Sequence, residues 1–243
     1  MTVEEMHYEF KLKLNKVDSL DYQNFFVPEI DWYLNEAMKM FIKQRYGVAN
    51  PKRQGFEVTQ KRIDDLRNLV VAGANQLAAL SPVTDLKPFY TANLPTDYMF
   101  LVRVNADATK EGCESKIIGG IQVQRDDLDT VLGDPFYSPS FEWGETPVVF
   151  TEDGISAYSD GSFTITNILV DYIRHPERIA WGDGVDPINS YNYPDGTTAA
   201  ANQSCELAEH THNEIVDLAV LIASGDLDNP NFQVKNLRAN INE

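Results

Sequence analysis

Two closely spaced histidines are the residues in this sequence that most invite a metal-binding or catalytic interpretation. His210 and His212 stand in ELAEHTHNE, a segment whose pattern predicts a helix. Residues two apart on a helix do not share a face, so both imidazoles cannot easily reach one ion. Glu206 and His210, four residues apart, could share one, but a third ligand is not apparent. Solvated helix positions are the favoured interpretation, and a metal-dependent hydrolase is kept as an alternative.

Acidic turns are a second group of residues that could bind a metal ion. GDGVDP (182–187) and the Asp-Gly steps at Asp153 and Asp160 resemble fragments of calcium-binding loops. The full loop pattern with its closing glutamate is missing, so turn chemistry is favoured. The sequence also lacks a G-x-S-x-G elbow and the glycine-rich phosphate-binding motifs. We therefore expect no catalytic residues, no cofactor and no metal, and hence no enzyme.

Charge and cysteine content narrow the class of protein. The net charge is −17; residues 1–80 hold 11 Lys/Arg and 11 Asp/Glu, whereas residues 81–243 hold 9 and 26. Such an acidic surface repels phosphates, which argues against sequence-specific nucleic-acid recognition. Cys113 and Cys205 lie far apart and are expected to be reduced thiols. The acidic start MTVEEMHYEF is unlike a signal peptide, and no apolar run reaches the roughly 18–20 residues of a membrane helix, so we expect a cytosolic origin.

The first third of the chain has helical patterns. Residues 2–16 predict a first helix, with Thr2 as its cap. The second helix is expected to open at Pro28 and to stop at Gly47. Its apolar residues recur at helical spacing and are Ile30, Leu34, Ala37, Met38 and Phe41. A third helix is predicted over residues 59–72, with a possible extension through ANQLAALSP.

The middle of the chain has strand patterns. Residues 98–106 and 115–124 predict two buried strands. Residues 147–176 predict a three-stranded antiparallel meander, because two Asp-Gly steps separate runs rich in Val, Ile, Tyr, Phe and Thr. A long polar loop follows, and the last helix is predicted over residues 205–224.

Together these patterns predict an α+β fold, in which an N-terminal helical bundle precedes an antiparallel β meander or sheet and a C-terminal helix. The expected division is a helical assembly region (1–80), an antiparallel β region (81–180), a long polar loop (181–204), and a C-terminal helix with its tail (205–243).

Aromatic residues are concentrated in segments that one packing partner does not account for. The second helix carries more apolar surface than its own core needs, and FYSPSFEW and SYNYPD lie in polar, turn-rich segments. Tyr and Trp in such places are typical of protein–protein contacts, with local packing as the alternative. The predicted subunit-interface residues are Trp32, Tyr33, Met40, Tyr46, Tyr137, Trp143, Tyr191 and Tyr193.

Several sequence segments resemble those of a known family. TVEEMHYEFKLKLNKVDS and VPEIDWYLNEAMKMFIKQRYG resemble the helical start of neck and head–tail adaptor proteins of short-tailed phages. ITNILVDYIRHPERI (165–179) and ELAEHTHNEIVDLAVLIASG (206–225) are similar to structural ring proteins of crAss-like phages. The resemblance covers less than half of the chain, in two pieces.

The resemblance implies a non-enzymatic virion subunit. Such proteins form rings, commonly twelve-fold, that join the portal to the tail and line the DNA channel. The expected partners are further copies of the chain, portal and other neck or tail proteins, and DNA that passes without sequence-specific binding. The expected location is the neck or tail of the virion, with assembly in the host cytoplasm. The alternative is a tail or baseplate module that recognises a host surface ligand through residues 181–203.

Overall fold

A computed structural model of the protein describes residues 1–15, 25–47, 60–72, 76–80, 82–84, 86–152, 154–182 and 202–226. The chain divides into two compact units. The helical unit combines Met1–Leu69 with Pro176–Glu243, and the sheet unit is Val70–His175. The sheet unit is thus inserted between the two halves of the helical unit along the chain.

Three helices form the core of the helical unit. They are α1 (Val3–Asn15), α2 (Val27–Tyr46) and α5 (His212–Asp226), and α5 packs against both others. The short α3 (Gln60–Leu66) packs against α2 and continues into a 3₁₀ turn, Arg67–Leu69. None of the described helices is long and apolar enough to cross a membrane.

Local signals define the ends of α1 and α2. The Thr2 amide donates to Glu5 Oε2 (2.8 Å) and the Glu5 amide to Thr2 Oγ1 (3.2 Å), a capping box that satisfies free amides at the helix start. At α2 the Glu29 side chain accepts the Phe26 amide (2.8 Å), and the Glu29 amide donates to the Phe26 carbonyl (3.1 Å), because Phe26 has no side-chain acceptor. Gly47 ends α2 through an amide hydrogen bond to the Lys43 carbonyl (2.8 Å). The predicted bounds of these two helices are therefore confirmed to within one or two residues.

The sheet unit is built on a mixed sheet of nine strands within the described residues. The strands are β1 (Val70–Val71), β2 (Gln76–Ala78), β3 (Val83–Thr84), β4 (Pro88–Ala92), β5 (Tyr98–Thr109), β6 (Lys116–Gln122), β7 (Glu145–Thr151), β8 (Gly154–Tyr158) and β9 (Thr164–Arg174). Their order is β1-β9-β5-β6-β7-β8-β4-β3, and β2 also pairs with β9. Every pair is antiparallel except β6 with β7, and the short helix α4 (Leu128–Gly133) lies between those two strands in sequence.

The sheet curls around one apolar core. The Ala79 amide donates to Thr166 O in β9 (3.1 Å), and the Leu80 amide donates to Thr91 O in β4 (2.9 Å). Residues 79–80 therefore connect β9 and β4, which lie near opposite ends of the strand order. Buried side chains from six strands share the enclosed core; they include Tyr90, Val104, Ala106, Ile118, Val148, Ile155, Ile168, Val170 and Tyr172. The prediction of an α+β fold is confirmed, and the sheet is mixed and curled rather than wholly antiparallel.

The predicted three-stranded meander is wrong in its third strand. β7 and β8 pair as expected, but β9 pairs with β5 rather than β8. The 12-residue β5 matches the length of the 11-residue β9, so this pairing satisfies most of the backbone groups of both strands. Between β8 and β9, the Ser159 hydroxyl donates to Phe163 O (2.6 Å) in a turn, and Phe163 enters the core.

The predicted third helix also ends earlier than expected. α3 stops at Leu66, and Val70 and Val71 form strand β1 opposite Ile173 and Tyr172. β-branched side chains favour a strand, and β9 offers an open edge for the ladder. Residues 76–78, which lie in the proposed helical extension, form strand β2 and also pair with β9. The last helix begins at His212 rather than Cys205, after the 3₁₀ turn Glu209–Thr211.

Candidate assembly surfaces

Helix α2 has a buried side and an exposed side. The predicted apolar stripe of Ile30, Leu34, Ala37, Met38 and Phe41 is fully buried. The opposite side, here called the α2 stripe, consists of Glu29, Trp32, Glu36, Lys39, Met40 and Lys43, which recur at helical spacing. Trp32 is 52 % exposed and Met40 47 %. The stripe therefore presents two large apolar side chains among charged ones.

Tyr33 and Tyr46, also predicted at an interface, are half-buried in the helical unit. The Tyr33 ring packs near Phe10 (6.1 Å between centroids) and Trp32 (5.1 Å), and its hydroxyl donates to Asp226 Oδ2 (3.2 Å). Burial, followed by the nearby Asp226 carboxylate, raises the pKa of Tyr33, and burial raises the pKa of Tyr46. Both phenols therefore stay neutral at ordinary pH. Since Tyr33 and Tyr46 are half-buried, the large apolar side chains that α2 exposes are Trp32 and Met40.

Three aromatic residues stand out from the sheet unit and define the aromatic patch. Phe136 is 71 % exposed, Tyr137 64 % and Trp143 63 %. The rings of Phe136 and Trp143 lie 6.4 Å apart. Large apolar side chains grouped on a surface mark interaction sites more often than isolated ones do.

Hydrogen bonds fix the loop that carries the aromatic patch. The Phe136 amide donates to Asp134 Oδ1 (2.9 Å), and the Trp143 amide donates to Ser140 Oγ (3.3 Å). Gly144 has a φ of +76°, a conformation that suits glycine, and its amide closes the turn onto Ser140 O (3.0 Å). The three rings are thus held in water by an ordered backbone, which lowers the entropic cost of docking a partner.

Charged side chains accompany both surfaces. The segment before the patch contains the exposed Asp126, Asp127 and Asp129 against one basic residue, Arg125. On the α2 stripe, Lys39 pairs with Glu36 (2.9 Å), and Lys43 is exposed in the last turn. Next to Trp143 in sequence, Glu142 pairs with Lys110, and its carbonyl accepts a hydrogen bond from Lys116 Nζ (3.4 Å), so both surfaces are accompanied by charges of both signs.

Phe136 was not among the predicted interface residues, although it is the most exposed member of the patch. Its signal was present in the FYSPSFEW segment, where it neighbours the predicted Tyr137. Tyr191 and Tyr193 lie outside the described residues, as does most of the 181–203 loop.

The two histidines have structural contacts in the helical unit. His210 Nε2 lies 2.8 Å from Asp65 Oδ1, and the buried His212 Nε2 lies 3.0 Å from Leu207 O. Asp65 also accepts a hydrogen bond from Arg45 Nε (3.0 Å). Among the described residues, no group of three or more His, Cys, Asp or Glu side chains could hold a metal ion.

The family comparison assigns this combination of helices and curled sheet to a class of virion protein. A family model described as phage tail ring protein 3/4 matches residues 1–228, which span both units. The chain belongs to this family of crAss-like phage ring proteins. The family is one of structural virion components, and a ring protein associates with copies of itself and with tail partners. No curated protein matches the chain.

Proposed function

We propose that this protein forms a homo-oligomeric ring in the phage neck or tail, where it joins the portal to the tail and surrounds the DNA channel. The family match over residues 1–228 carries the proposal. The exposed apolar side chains of the α2 stripe and the aromatic patch support it, because ring subunits must bury two different surfaces against their neighbours. We propose a twelve-fold ring with a purely structural role, without catalysis.

The charge distribution supports passage of DNA without adhesion. All of the net charge of −17 comes from residues 81–243, with 9 Lys/Arg against 26 Asp/Glu. An acidic channel wall repels the DNA backbone and so disfavours binding during genome passage. Acidic side chains on the ring exterior combined with a basic lumen would overturn this part of the proposal.

The test is native mass determination of the purified protein with negative-stain imaging, together with its localisation in purified particles. Rings with a central pore, or a stoichiometric place at the capsid–tail junction, are the expected results. A trimer at the tail tip with outward-facing loops would favour a host-binding tail or baseplate module. A monomer that is absent from particles would overturn a structural role.

A further inference from the structure

We infer that a segment after α5 of one copy docks as an added strand on β3 of a second copy, in a contact that repeats around the ring. The docking segment is residues 231–235, here called the NFQVK segment, which lies outside the described residues. The docking surface is the outer edge of β3 with the groove beside it. This inference rests on the proposed ring and specifies how neighbouring subunits are joined.

The outer edge of β3 has backbone groups that face away from the sheet. β3 is the last strand in the strand order, and its Thr84 lies opposite Pro88 of β4. Pro88 O accepts the Ser159 amide (2.8 Å) on the β8 side, so the Pro88 carbonyl points away from β3. Residues directly opposite in an antiparallel pair point their backbone groups either towards each other or both away. The Thr84 N–H and C=O therefore point outwards, and among the described residues no strand pairs with this edge.

An apolar groove lies beside the open edge. It has a volume of about 890 Å³, and its lining includes Leu80, Val83, Phe89, Thr91, Leu94 and Glu152. Leu80 is 55 % exposed and Val83 56 %. Because alternate side chains of a strand point to the same face, a strand paired with β3 can place every second side chain beside Val83 in the groove. An open edge next to a side-chain pocket is the surface that recognises extended peptides by strand addition.

The NFQVK segment has the pattern that such a surface requires. Phe232 and Val234 alternate with three polar residues, which is the pattern of a strand with one apolar face. Aromatic and β-branched side chains favour strands. The segment contains no proline, so each of its residues has an amide to donate to a strand ladder.

The long polar loop is a poorer occupant of the groove. Residues 183–201 contain three Asp, two Pro and no Lys or Arg. Its prolines lack the amide that a ladder needs, and its carboxylates would be repelled by Glu152 in the groove lining. The NFQVK segment instead carries Lys235 and no acidic residue.

The position of the NFQVK segment allows it to reach a neighbouring copy. α5 ends at Asp226, and residues 227–235 can span up to about 30 Å at ~3.3 Å per residue. That length is about the diameter of a small domain. A ring protein associates with copies of itself. Because the segment and the groove are different surfaces, each docked copy keeps one of each free, and repetition closes a ring when the rotation allows.

Peptide binding tests this contact directly. The chain truncated after Asp228 keeps all residues that the family model matches and lacks the NFQVK segment. A fluorescent peptide of residues 229–243 should bind it saturably in fluorescence anisotropy. Thr84→Pro in the truncated chain should weaken binding at least about tenfold, because it removes an outward-facing amide and no hydrogen bond to β4. Absence of saturable binding by the peptide would overturn the inference.

Complementary full-length variants test the contact in assembly. The groove variant carries Leu80→Ser and Val83→Ser, and the segment variant carries Phe232→Ser and Val234→Ser. Leu80 and Val83 are exposed, so the groove variant is expected to fold, with circular dichroism as the check. Each variant alone should raise the concentration needed for ring assembly at least about 30-fold in native mass spectrometry. Mixing them should give one-to-one dimers that grow no further, because one intact segment meets one intact groove.

Leu86→Ser is the matched control. Leu86 lies in the turn between β3 and β4 and is 63 % exposed, but it does not line the groove. This variant should therefore assemble as the wild type does. A loss of assembly equal to that of the groove variant would overturn the role of the groove.

The outcomes distinguish failure of this contact from failure of the proposed function. Rings that persist in both the groove variant and the segment variant overturn the contact and leave the proposed ring intact. A truncated chain that binds the peptide and still forms rings indicates that the segment occupies the groove of its own copy, which also overturns the inference. A wild type that forms no ring, in solution or in particles, overturns the proposed function and the inference together.

Discussion

A buried ion-pair network in the helical unit is centred on Arg45. The Arg45 guanidinium is buried beside the fully buried Asp65, and it also pairs with Glu214. It stacks on Phe41, with 4.6 Å between the guanidinium carbon and the ring centroid. The network joins α2, α3 and α5, so each of its charges depends on the others for compensation.

Removing one member of this network should destabilise the helical unit strongly. Arg45→Met should lower the free energy of unfolding by about 3–5 kcal/mol, because Asp65 stays buried without its guanidinium. Urea denaturation measures the change. Arg67→Met is the control, since the exposed Arg67–Asp64 pair (3.9 Å) should contribute only about 0–1 kcal/mol. Equal losses in the two variants would contradict a special role for the buried network.

His212 should make stability depend on pH. Burial lowers the pKa of its imidazole, and the contact with Leu207 O offsets this in part. The unfolded chain therefore binds the proton more readily, so the stabilising contribution is present above the ordinary histidine pKa of about 6.5 and is lost below it. His212→Gln should therefore flatten the fall in the free energy of unfolding between pH 7 and pH 5, as measured by urea denaturation at a series of pH values.

At the scale of elements, α2 connects the two halves of the helical unit. Asn35 Nδ2 donates to Ile179 O (2.8 Å), and the Ile179 amide donates to Asn35 Oδ1 (2.9 Å). One helix turn earlier, Asp31 Oδ2 accepts the Trp181 amide (3.0 Å), and Asp31 Oδ1 lies 2.6 Å from His7 Nε2. The segment after the sheet unit is thus held to the same helix face that packs on α1 and α5.

Asn35→Ala tests this attachment. The substitution removes both hydrogen bonds to the buried Ile179 backbone, and each lost partner costs about 1–3 kcal/mol. We expect the free energy of unfolding, measured by urea denaturation, to fall by about 2–6 kcal/mol. Asn68→Ala is the matched control, because the exposed Asn68 makes a single bond to Glu206 O (2.9 Å) and should cost less than about 1 kcal/mol. A loss of unfolding free energy in Asn35→Ala no larger than in Asn68→Ala would contradict the proposed role of Asn35 in holding this segment to α2.

In the sheet, Gly154 permits a close approach of β8 to the end of β4. Its φ is +129°, and a Cβ at this position would lie 2.2 Å from the Ala92 carbonyl oxygen. Gly154→Ala should therefore lower the free energy of unfolding of the sheet unit by about 1–3 kcal/mol or more, because it causes overpacking and backbone strain. Gly133→Ala, where a Cβ meets nothing within 4 Å, should be close to neutral. Thermal denaturation of the two variants gives the comparison.

At the scale of the whole molecule, one unit interrupts the other in sequence. The sheet unit has its own core and is continuous from Val70 to His175, whereas the helical unit needs segments from both ends of the chain. Folding of the helical unit therefore requires contacts between residues far apart in sequence, which carry a cost in chain entropy.

A fragment of residues 70–175 should fold by itself. Its enclosed core contains side chains from six strands, and domains with such a core are commonly independent. We expect a cooperative thermal transition and a β-type circular dichroism spectrum. A matched fragment of residues 1–69 should lack a cooperative transition, because α5 is missing from its core. A disordered 70–175 fragment would contradict the division into units.

Local chemistry in the sequence by itself determined α1 and α2. Their capping residues, helical spacing and the Gly47 stop act within a few positions, so the bounds of both helices were predictable. The exposed aromatic patch was partly predictable, because Tyr137 and Trp143 stand in a turn-rich polar segment. The segments that resemble phage ring proteins also indicated the family whose model matches residues 1–228.

Only the tertiary structure decided which strands pair and which polar residues become buried. Hydrogen bonds to β9 make Val70–Val71 and Gln76–Ala78 into strands, although their local pattern suited a helix. β9 pairs with β5, a strand of matching length, and no local pattern in either strand specifies that pairing. The contacts of His210 with Asp65 and of Asn35 with Ile179 join residues more than 140 positions apart. Such contacts depend on how the chain packs, and no local propensity specifies them.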